Sequence, residues 1–463
     1  MLTLHCFQQI MVQSTREALR KGIRRILLQA PTGAGKTVLT AFMTGSAAKR
    51  GKTIWFVVHR RELIRQSSKT FEMVEIPHGI VSAGWDMNVK SPVQICSVQT
   101  LVKRLHRLAK PDMIIWDESH HIAAKSWATI YDKFPHAIHI GLTATPRRLD
   151  GKGLADYFDT MIQGPTVGEL IQQGYLTPYR LFSVPGVQTE GLHHRAGDFK
   201  REEVVAALER STVMGDAVAH YLKHANGRRG LVFEASIERS ERLAKSFRDA
   251  GIPAAHVDGN TDSMVRDMAM RDLATGALRI ICNVDLFGEG VDVPAIEVVH
   301  LCRPTDSLTV YLQQVGRGLR LAPGKHDVLI FDHAGNVQRH GRPDDPREWE
   351  LTAGRTGDTK SEGGFPVRQC PNCYAVNPAG AVKCCECGKL FPIESRQIEQ
   401  IEGELTEDIV AAQRREAMRE QGQAQSLETL TELGRMRGYR NPAAWAKYVW
   451  QAREAKQKRK QAA

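Results

Sequence analysis

The stretch Ala30-Pro-Thr-Gly-Ala-Gly-Lys-Thr37 constrains this chain more than any other. An apolar run, Arg25-Ile-Leu-Leu-Gln29, feeds it, and a helical pattern over 37–49 leaves it. That pattern predicts strand, turn and helix, the setting of a phosphate-binding loop. Gly33 and Gly35 let the backbone curl until its N–H groups point inward at a nucleotide's phosphates. Lys36 then reaches the β- and γ-phosphates, and the Thr37 hydroxyl is placed to ligate Mg²⁺. Ala30 stands where the general pattern has glycine.

A chain of 463 residues holds two or three domains. No apolar run approaches the roughly 18 residues that a membrane span needs, and the first residues lack the charged start of a signal peptide. A cytoplasmic location with no membrane partner is expected. The net charge of +11 suits a polyanionic partner. Five of the nine cysteines fall within 370–387. In a reducing compartment such clustering points to metal, not disulfides.

Beyond Lys36, apolar strands alternate with helical patterns, which predicts a parallel sheet covered on both faces. Ligands of such sheets bind at the carboxyl ends of the strands. Asp117-Glu-Ser-His120 closes one strand there, and Gly141-Leu-Thr-Ala-Thr-Pro-Arg-Arg148 closes another. A carboxylate beside a triphosphate can hold the Mg²⁺ that Thr37 also touches, which is the role given to Asp117. Glu118, next to it, is then placed to orient and deprotonate the attacking water.

Lys36-Thr37, Asp117-Glu-Ser-His120 and Thr143-Ala-Thr145 together resemble motifs I, II and III of superfamily 2 helicases of the DEAD/DEAH-box (DExH) kind, in family order. The resemblance implies two tandem RecA-like P-loop lobes, an α/β fold with parallel sheets, and ATP with Mg²⁺ as the nucleotide. It gives Gln8 the task of reading adenine. Val57-Val-His-Arg60 resembles motif Ia and Ser97-Val-Gln-Thr100 resembles motif Ib, which implies nucleic-acid contacts for Arg60, Gln99 and Thr100. Ordinary helix caps after strands are the competing account of those residues.

A second alternation begins near 206 and has no phosphate loop of its own, so this lobe would close on nucleotide held by the first. Residues 283–294 resemble motif V, with Gly290 and Asp292 at its marked positions, although Asn283 stands where the family more often has Thr. Tyr311-Leu-Gln-Gln-Val-Gly-Arg-Gly-Leu-Arg320 resembles motif VI. Arg317 and Arg320 share one helix face, and the resemblance implies that they are arginine fingers on the γ-phosphate. Gly316 and Gly318 would break an ordinary helix, and close approach across a crevice supplies a reason for them. Arg303-Pro-Thr-Asp306, the stretch from Arg320 to Lys325, and a later cysteine ribbon resemble the RadD-like bacterial and phage branch.

Cys370-Pro-Asn-Cys373 and Cys384-Cys-Glu-Cys387 form two C-x-x-C knuckles. Four thiolates, from Cys370, Cys373, Cys384 and Cys387, suit one tetrahedral Zn²⁺, with Cys385 outside the shell. Residues 393–433 hold ten acidic residues and four arginines, whereas 434–463 hold nine Lys/Arg and one Glu. Aromatics interleave with the cations of that basic end. Stacking on single-stranded nucleic acid and the core of a small helical hairpin account for them equally well, and a protein partner at this tail is a further expectation.

The expected organisation is lobe 1 over 1–163, a connector over 164–205, lobe 2 over 206–335, a linker over 336–365, a zinc ribbon over 366–392 and a charged helical tail over 393–463. The expected activity is nucleic-acid-dependent ATP hydrolysis that moves or unwinds DNA. Two alternatives stand beside it, a translocase that remodels complexes without strand separation and an ATP-gated binding scaffold.

Overall fold

Apolar runs too short for buried helices, such as Ile-Trp-Phe-Val-Val and Met-Ile-Ile-Trp, become the central strands of two sheets. The computed structural model describes residues 3–148, 152–184, 189–195, 197–210, 216–287, 293–352, 366–392 and parts of 420–453. The chain divides into two units, Met1–Pro392 and Ile393–Ala463.

Lobe 1 of the first unit opens with α1 (Cys6–Arg20), whose buried Phe7, Gln8, Met11, Val12 and Thr15 recur at helical spacing. Then follow β1 (Arg25–Gln29), α2 (Lys36–Ala48), β2 (Ile54–Val58), α3 (Arg61–Met73) and β3 (Gly79–Val81). The lobe continues through β4 (Val93–Ser97), α4 (Val98–Arg104), β5 (Met113–Trp116), α5 (Lys125–Lys133), β6 (Ile138–Thr143) and β7 (Thr160–Gln163). The seven strands form one parallel sheet ordered β3-β4-β2-β5-β6-β1-β7. Its register sets functional stretches side by side: Gln29 lies opposite Thr143, and Val58 opposite Ser97.

Lobe 2 begins inside the expected connector, with α6 (Val167–Gln172) and β8 (Tyr179–Ser183). After a small hairpin of β9 (His194–Arg195) and β10 (Asp198–Phe199) come α7 (Arg201–Arg210), α8 (Ala217–His224), β11 (Gly230–Phe233) and α9 (Ile237–Asp249). The lobe then runs through β12 (Ala254–Val257), α10 (Ser263–Thr275), β13 (Ile280–Asn283), β14 (Val298–Leu301), α11 (Leu308–Gly318), β15 (Val328–Asp332) and α12 (Asn336–His340). The sheet is ordered β12-β13-β11-β14-β15-β8, all parallel. The Gly and Pro residues that suggested an irregular connector instead bracket β8, which only its pairing with β15 makes a strand.

Residues 336–352, expected to be linker, hold α12 and a fixed irregular segment. Leu154 N and Ala155 N donate to Leu351 O at 2.8 and 3.1 Å. Arg347 donates to four carbonyls, those of His340, Arg342, Pro343 and Asp345. The charged side chains here satisfy bent backbone that no helix or sheet would. Residues 353–365 lie outside the described residues.

The ribbon, with β16 (Val367–Gln369) and β17 (Val376–Pro378), packs on the outer edge of β8. Ala375 bridges Phe182 antiparallel, and Ser183 N donates to Tyr374 O at 3.1 Å. Arg180 forms a two-pronged ion pair with Glu386. Buried Cys370, Ala375, Cys384 and Phe391 join the same apolar cluster as lobe 2's Val232, Val298 and Phe331.

In the second unit α13 (Leu427–Met436) is capped by Ser426, whose Oγ accepts from Thr429 N at 3.1 Å. Leu430, Ala446 and Val449 are buried, with Trp445 and Trp450 packed against them. These partly buried tryptophans pack against the small core, as the hairpin account expects. Tyr439 and Tyr448, the other two aromatics of that basic end, lie outside the described residues.

Candidate nucleotide site and inter-lobe crevice

The loop between β1 and α2 takes the shape its glycines permit. Gly33 and Gly35 have φ of 90° and 72°, a left-handed conformation that costs glycine little. A Cβ on Gly35 would lie 2.7 Å from Gln8 Nε2, and one on Gly33 would lie 2.7 Å from Leu176 and 3.7 Å from Arg320 Cγ. The loop is thus pressed between α1 below and lobe 2 above. Gln8 Nε2 donates to Ala34 O at 3.1 Å, and Gln8 Oε1 accepts from His5 N at 3.0 Å. Gln8 braces the loop as well as standing at its margin.

Lys36 Nζ curls back to Ala30 O and Pro31 O at 3.1 and 3.3 Å. Burial lowers its pKa, Glu118 and Asp117 oppose that, and Arg317 and Arg320 add to it. One lysine therefore senses two carboxylates of its own lobe and two guanidiniums of the other. The Asp117 carboxyl is pushed up to about 7, chiefly by burial and then by Glu118, while Lys36 and His59 pull the other way. Glu118 Oε2 is buried with no hydrogen-bond acceptor role filled, and His120 Nδ1 lies 3.5 Å away. Two adjacent carboxylates held out of water beside a lysine fit a divalent cation and a proton-accepting role. Glu118 also has φ of 52°, a strained value for a non-glycine residue.

A chain of side chains leads from here to lobe 2. His120 Nδ1 lies 3.3 Å from Thr143 Oγ1, and Thr143 Oγ1 donates to Thr145 O at 2.7 Å. Thr145 Oγ1 then meets Thr309 Oγ1 of α11 at 2.8 Å. Nothing in the sequence marked Thr309, because its significance is one cross-lobe contact.

On α11 the sequence reasoning about glycines holds for one of the two. A Cβ on Gly316 would meet Thr32 Cβ at 2.6 Å, so this helix touches the phosphate loop. Gly318 instead makes room for Val328 and Val299 of its own sheet, and α11 continues through both glycines. Arg317 is 3% exposed. Arg320 is anchored through its carbonyl, which accepts from Thr177 Oγ1 at 3.0 Å and Lys325 Nζ at 2.7 Å. Lys325 Nζ also donates to Gly318 O and to Pro294 O, tying the end of α11 to the strand-end loop before it. Lys325 is a second positioning residue that the sequence did not disclose.

The register of β2 and β4 gathers Arg60 and Gln99 around His59. Gln99 Nε2 donates to His59 O at 3.2 Å, and Arg60 Nη1 donates across the crevice to Leu286 O at 2.8 Å. Thr100 follows at the start of α4 and is half-buried. Arg60, Arg201, Asp258, Asn260 and Asp285 line a cavity of about 330 Å³ spanning both lobes. Gly290 and Asp292 lie outside the described residues.

In the ribbon the sulfurs of Cys370, Cys373, Cys384 and Cys387 all lie within 4.8 Å of one another, with two pairs at 3.6 Å. Tetrahedral Zn–S bonds of about 2.3 Å place sulfurs about 3.8 Å apart, which this cluster fits. The Asn372 side chain and Lys389 N–H hold Cys387 down at about 6, favouring thiolate. Cys385 is exposed and outside the cluster.

Both lobes match known protein families. Residues 1–148 match the family profile of the type III restriction enzyme res subunit, and 214–322 match the helicase conserved C-terminal domain. A 51.5 kDa protein of a Lactococcus phage is 37% identical over 383 residues, covering 82% of this chain and 81% of its own. A candidate ATP-dependent helicase of Saccharomyces cerevisiae, IRC3, is 29% identical over 72% of this chain, which spans about half (51%) of that protein. In structure, the DNA-bound type ISP restriction-modification enzyme LlaBIII aligns with a TM-score of 0.54 at 16% identity, over 72% of this chain and 28% of its own, a likeness of fold. Among the described residues no helix is long and apolar enough to cross a membrane.

Proposed function

Since this chain belongs to the superfamily 2 DExH-type helicases and is an ATP-hydrolysing enzyme, we propose that it works on DNA as a helicase or translocase, with ATP turned over in the crevice between its lobes. The observation that carries this reading is the meeting at Lys36 of Asp117 and Glu118 from one lobe with Arg317 and Arg320 from the other. The backbone N–H groups of Thr32, Gly33 and Gly35, with the Lys36 ammonium, would bind the phosphates, with Gln8 beside the base. Thr37 and Asp117 would hold Mg²⁺, which would supply charge neutralisation on the phosphates. Glu118 takes the proton of the attacking water, and its buried Oε2 is the atom available for it. Arg317 and Arg320 complete the site only while the lobes are closed. Hydrolysis therefore weakens closure, and Arg60, Gln99 and Thr100 change their grip on the strand as the crevice opens. Gly290 and Asp292 belong to the same lobe-2 surface in this reading.

We further assign one Zn²⁺ to the four clustered thiolates and keep the RadD-like placement as the narrower proposal. The four cysteines outside the ribbon are free thiols, in keeping with a cytoplasmic setting. Intact Glu118, Arg317 and Arg320 favour a motor over an ATP-gated scaffold. ATP turnover measured with single-stranded DNA, forked DNA and RNA tests the proposal. Stimulation by DNA is expected, with Glu118→Gln still binding ATP but turning over at least about a hundredfold more slowly. Turnover indifferent to nucleic acid overturns the motor reading, and strand displacement separates helicase from remodeller.

A further inference from the structure

The seam between the ribbon and lobe 2 holds a cavity of about 400 Å³ at the carboxyl ends of β8 and β15. Ligands of open parallel sheets bind at that end of the strands. Its walls include the aromatic Phe182, Phe331 and Tyr374, and its polar lining includes His220, His224, Lys223 and Asn372 together with Asp332, whose carboxylate is already engaged by backbone N–H groups. The volume suits one planar ring system. The sequence over 184–191 carries no Gly-Lys-Thr signature, so the chemistry favours a base over a triphosphate.

Tyr374 singles this cavity out. It follows the second cysteine of the first knuckle and has φ of 62°, while Gly388 holds the matching place in the second knuckle with φ of 71°. A bulky side chain in the left-handed region is strained where glycine would be at ease. The knuckle turn sets this conformation, since Tyr374 N donates to Cys370 O at 2.9 Å as Gly388 N donates to Cys384 O at 3.1 Å, but the turn does not require an aromatic side chain, and that of Tyr374 is 48% exposed. Around it, burial lowers the pKa of both His220 and His224. As neutral rings each presents one donor and one acceptor, the complement of a base edge. Exposed Lys223 adds a cation for a neighbouring phosphate, and the guanidinium of Arg180 lies over the Phe182 ring at 5.6 Å.

We propose that Tyr374 is a stacking platform for a base of single-stranded nucleic acid, and that the ribbon–lobe 2 seam extends the strand's path along the carboxyl edge of lobe 2. The seam lies four strands from β13, about 19 Å at 4.8 Å per strand. This inference rests on the reading of the chain as a nucleic-acid motor. Aromatic stacking tolerates any base, so the site would hold a passing strand without reading its sequence.

The full zinc-loaded chain is titrated against an oligo-dT carrying one 2-aminopurine, as parent, Tyr374→Phe and Tyr374→Gly. Parent and Tyr374→Phe should quench the probe and bind alike. Tyr374→Gly, which removes the ring and relieves the backbone, should bind about tenfold more weakly with loss of quenching. Its zinc content and thermal midpoint should match or exceed the parent's, which separates lost stacking from an unfolded ribbon. Equal binding by Tyr374→Gly, equal loss in Tyr374→Phe, or quenching by a free mononucleotide but not by the strand each overturns the proposal. If the parent binds no oligonucleotide at all, the motor reading falls with it; if the parent binds and Tyr374→Gly matches it, only this inference falls.

Discussion

β1 and β8 hold the same place in their two sheets, and the chain leaves them in opposite ways. From the inner strands outward, lobe 1 runs β4-β2-β5-β6-β1 and lobe 2 runs β13-β11-β14-β15-β8. Outside β1 lies β7, whereas outside β8 lies the ribbon, through the Phe182–Ala375 bridge. After β1 come Gly33 and Gly35, whose left-handed backbone belongs to the loop proposed to bind phosphate. Beside β8, at the end of β15, the N–H groups already have an anion. Asp332 accepts from Val337 N at 2.8 Å and from Ala334 N at 3.2 Å, with Ser183 Oγ at 3.4 Å. Burial raises the Asp332 pKa and those N–H groups oppose it. In the proposed reading, lobe 1 offers its N–H groups to a transient anion, whereas this part of lobe 2 spends its own on a resident carboxylate.

Three experiments would break or sharpen that contrast. The largest effect should come from Lys36→Ala, which removes the cation from the transient site. Turnover should fall by more than about a hundredfold. The thermal shift on adding ATP, about 2.7 kcal/mol of stabilisation at a hundredfold excess over Kd, should shrink. Turnover within a few-fold of the parent would remove Lys36 from the site.

Next in size is loss of the ribbon's metal. Cys370→Ser should release zinc and unfold the ribbon, since binding and folding free energies are linked there. Because the ribbon covers β8, lobe 2 should also melt several degrees lower, while Cys385→Ser should keep full zinc by metal analysis. An unmoved lobe 2 transition would mean that the seam contributes nothing to its stability.

Asp332→Ala should have the smallest effect, stranding buried N–H donors at a cost of about 1–3 kcal/mol. That corresponds to about 2–4 °C per kcal/mol for a lobe of this size. The loss should be the same with and without ATP, unlike that of Lys36→Ala. A nucleotide-dependent loss would show the two sites to be coupled rather than contrasted.

The sequence by itself determined what depends on local rules. Gly33, Gly35 and Lys36 between an apolar run and a helical one dictate a strand, a turn through left-handed glycines and a helix, which is what the structure has. The two C-x-x-C turns likewise pick four sulfurs and leave Cys385 out. Alternating apolar and helical stretches were enough for two parallel-sheet lobes. What only the tertiary structure decided depends on partners far apart in the chain. β8 is a strand because β15 pairs with it, and residues 336–352 are fixed because Arg347 collects four carbonyls. Trp445 and Trp450 are partly buried because a small core of Leu430, Ala446 and Val449 lies against them. Thr309 and Lys325 matter through contacts across the crevice and behind α11, and the strain at Glu118 and Tyr374 arises from backbone held by its surroundings. A residue's local preference is written in its neighbours along the chain, but the groups that will meet it across a sheet edge or a crevice are set only when loop closure brings them together.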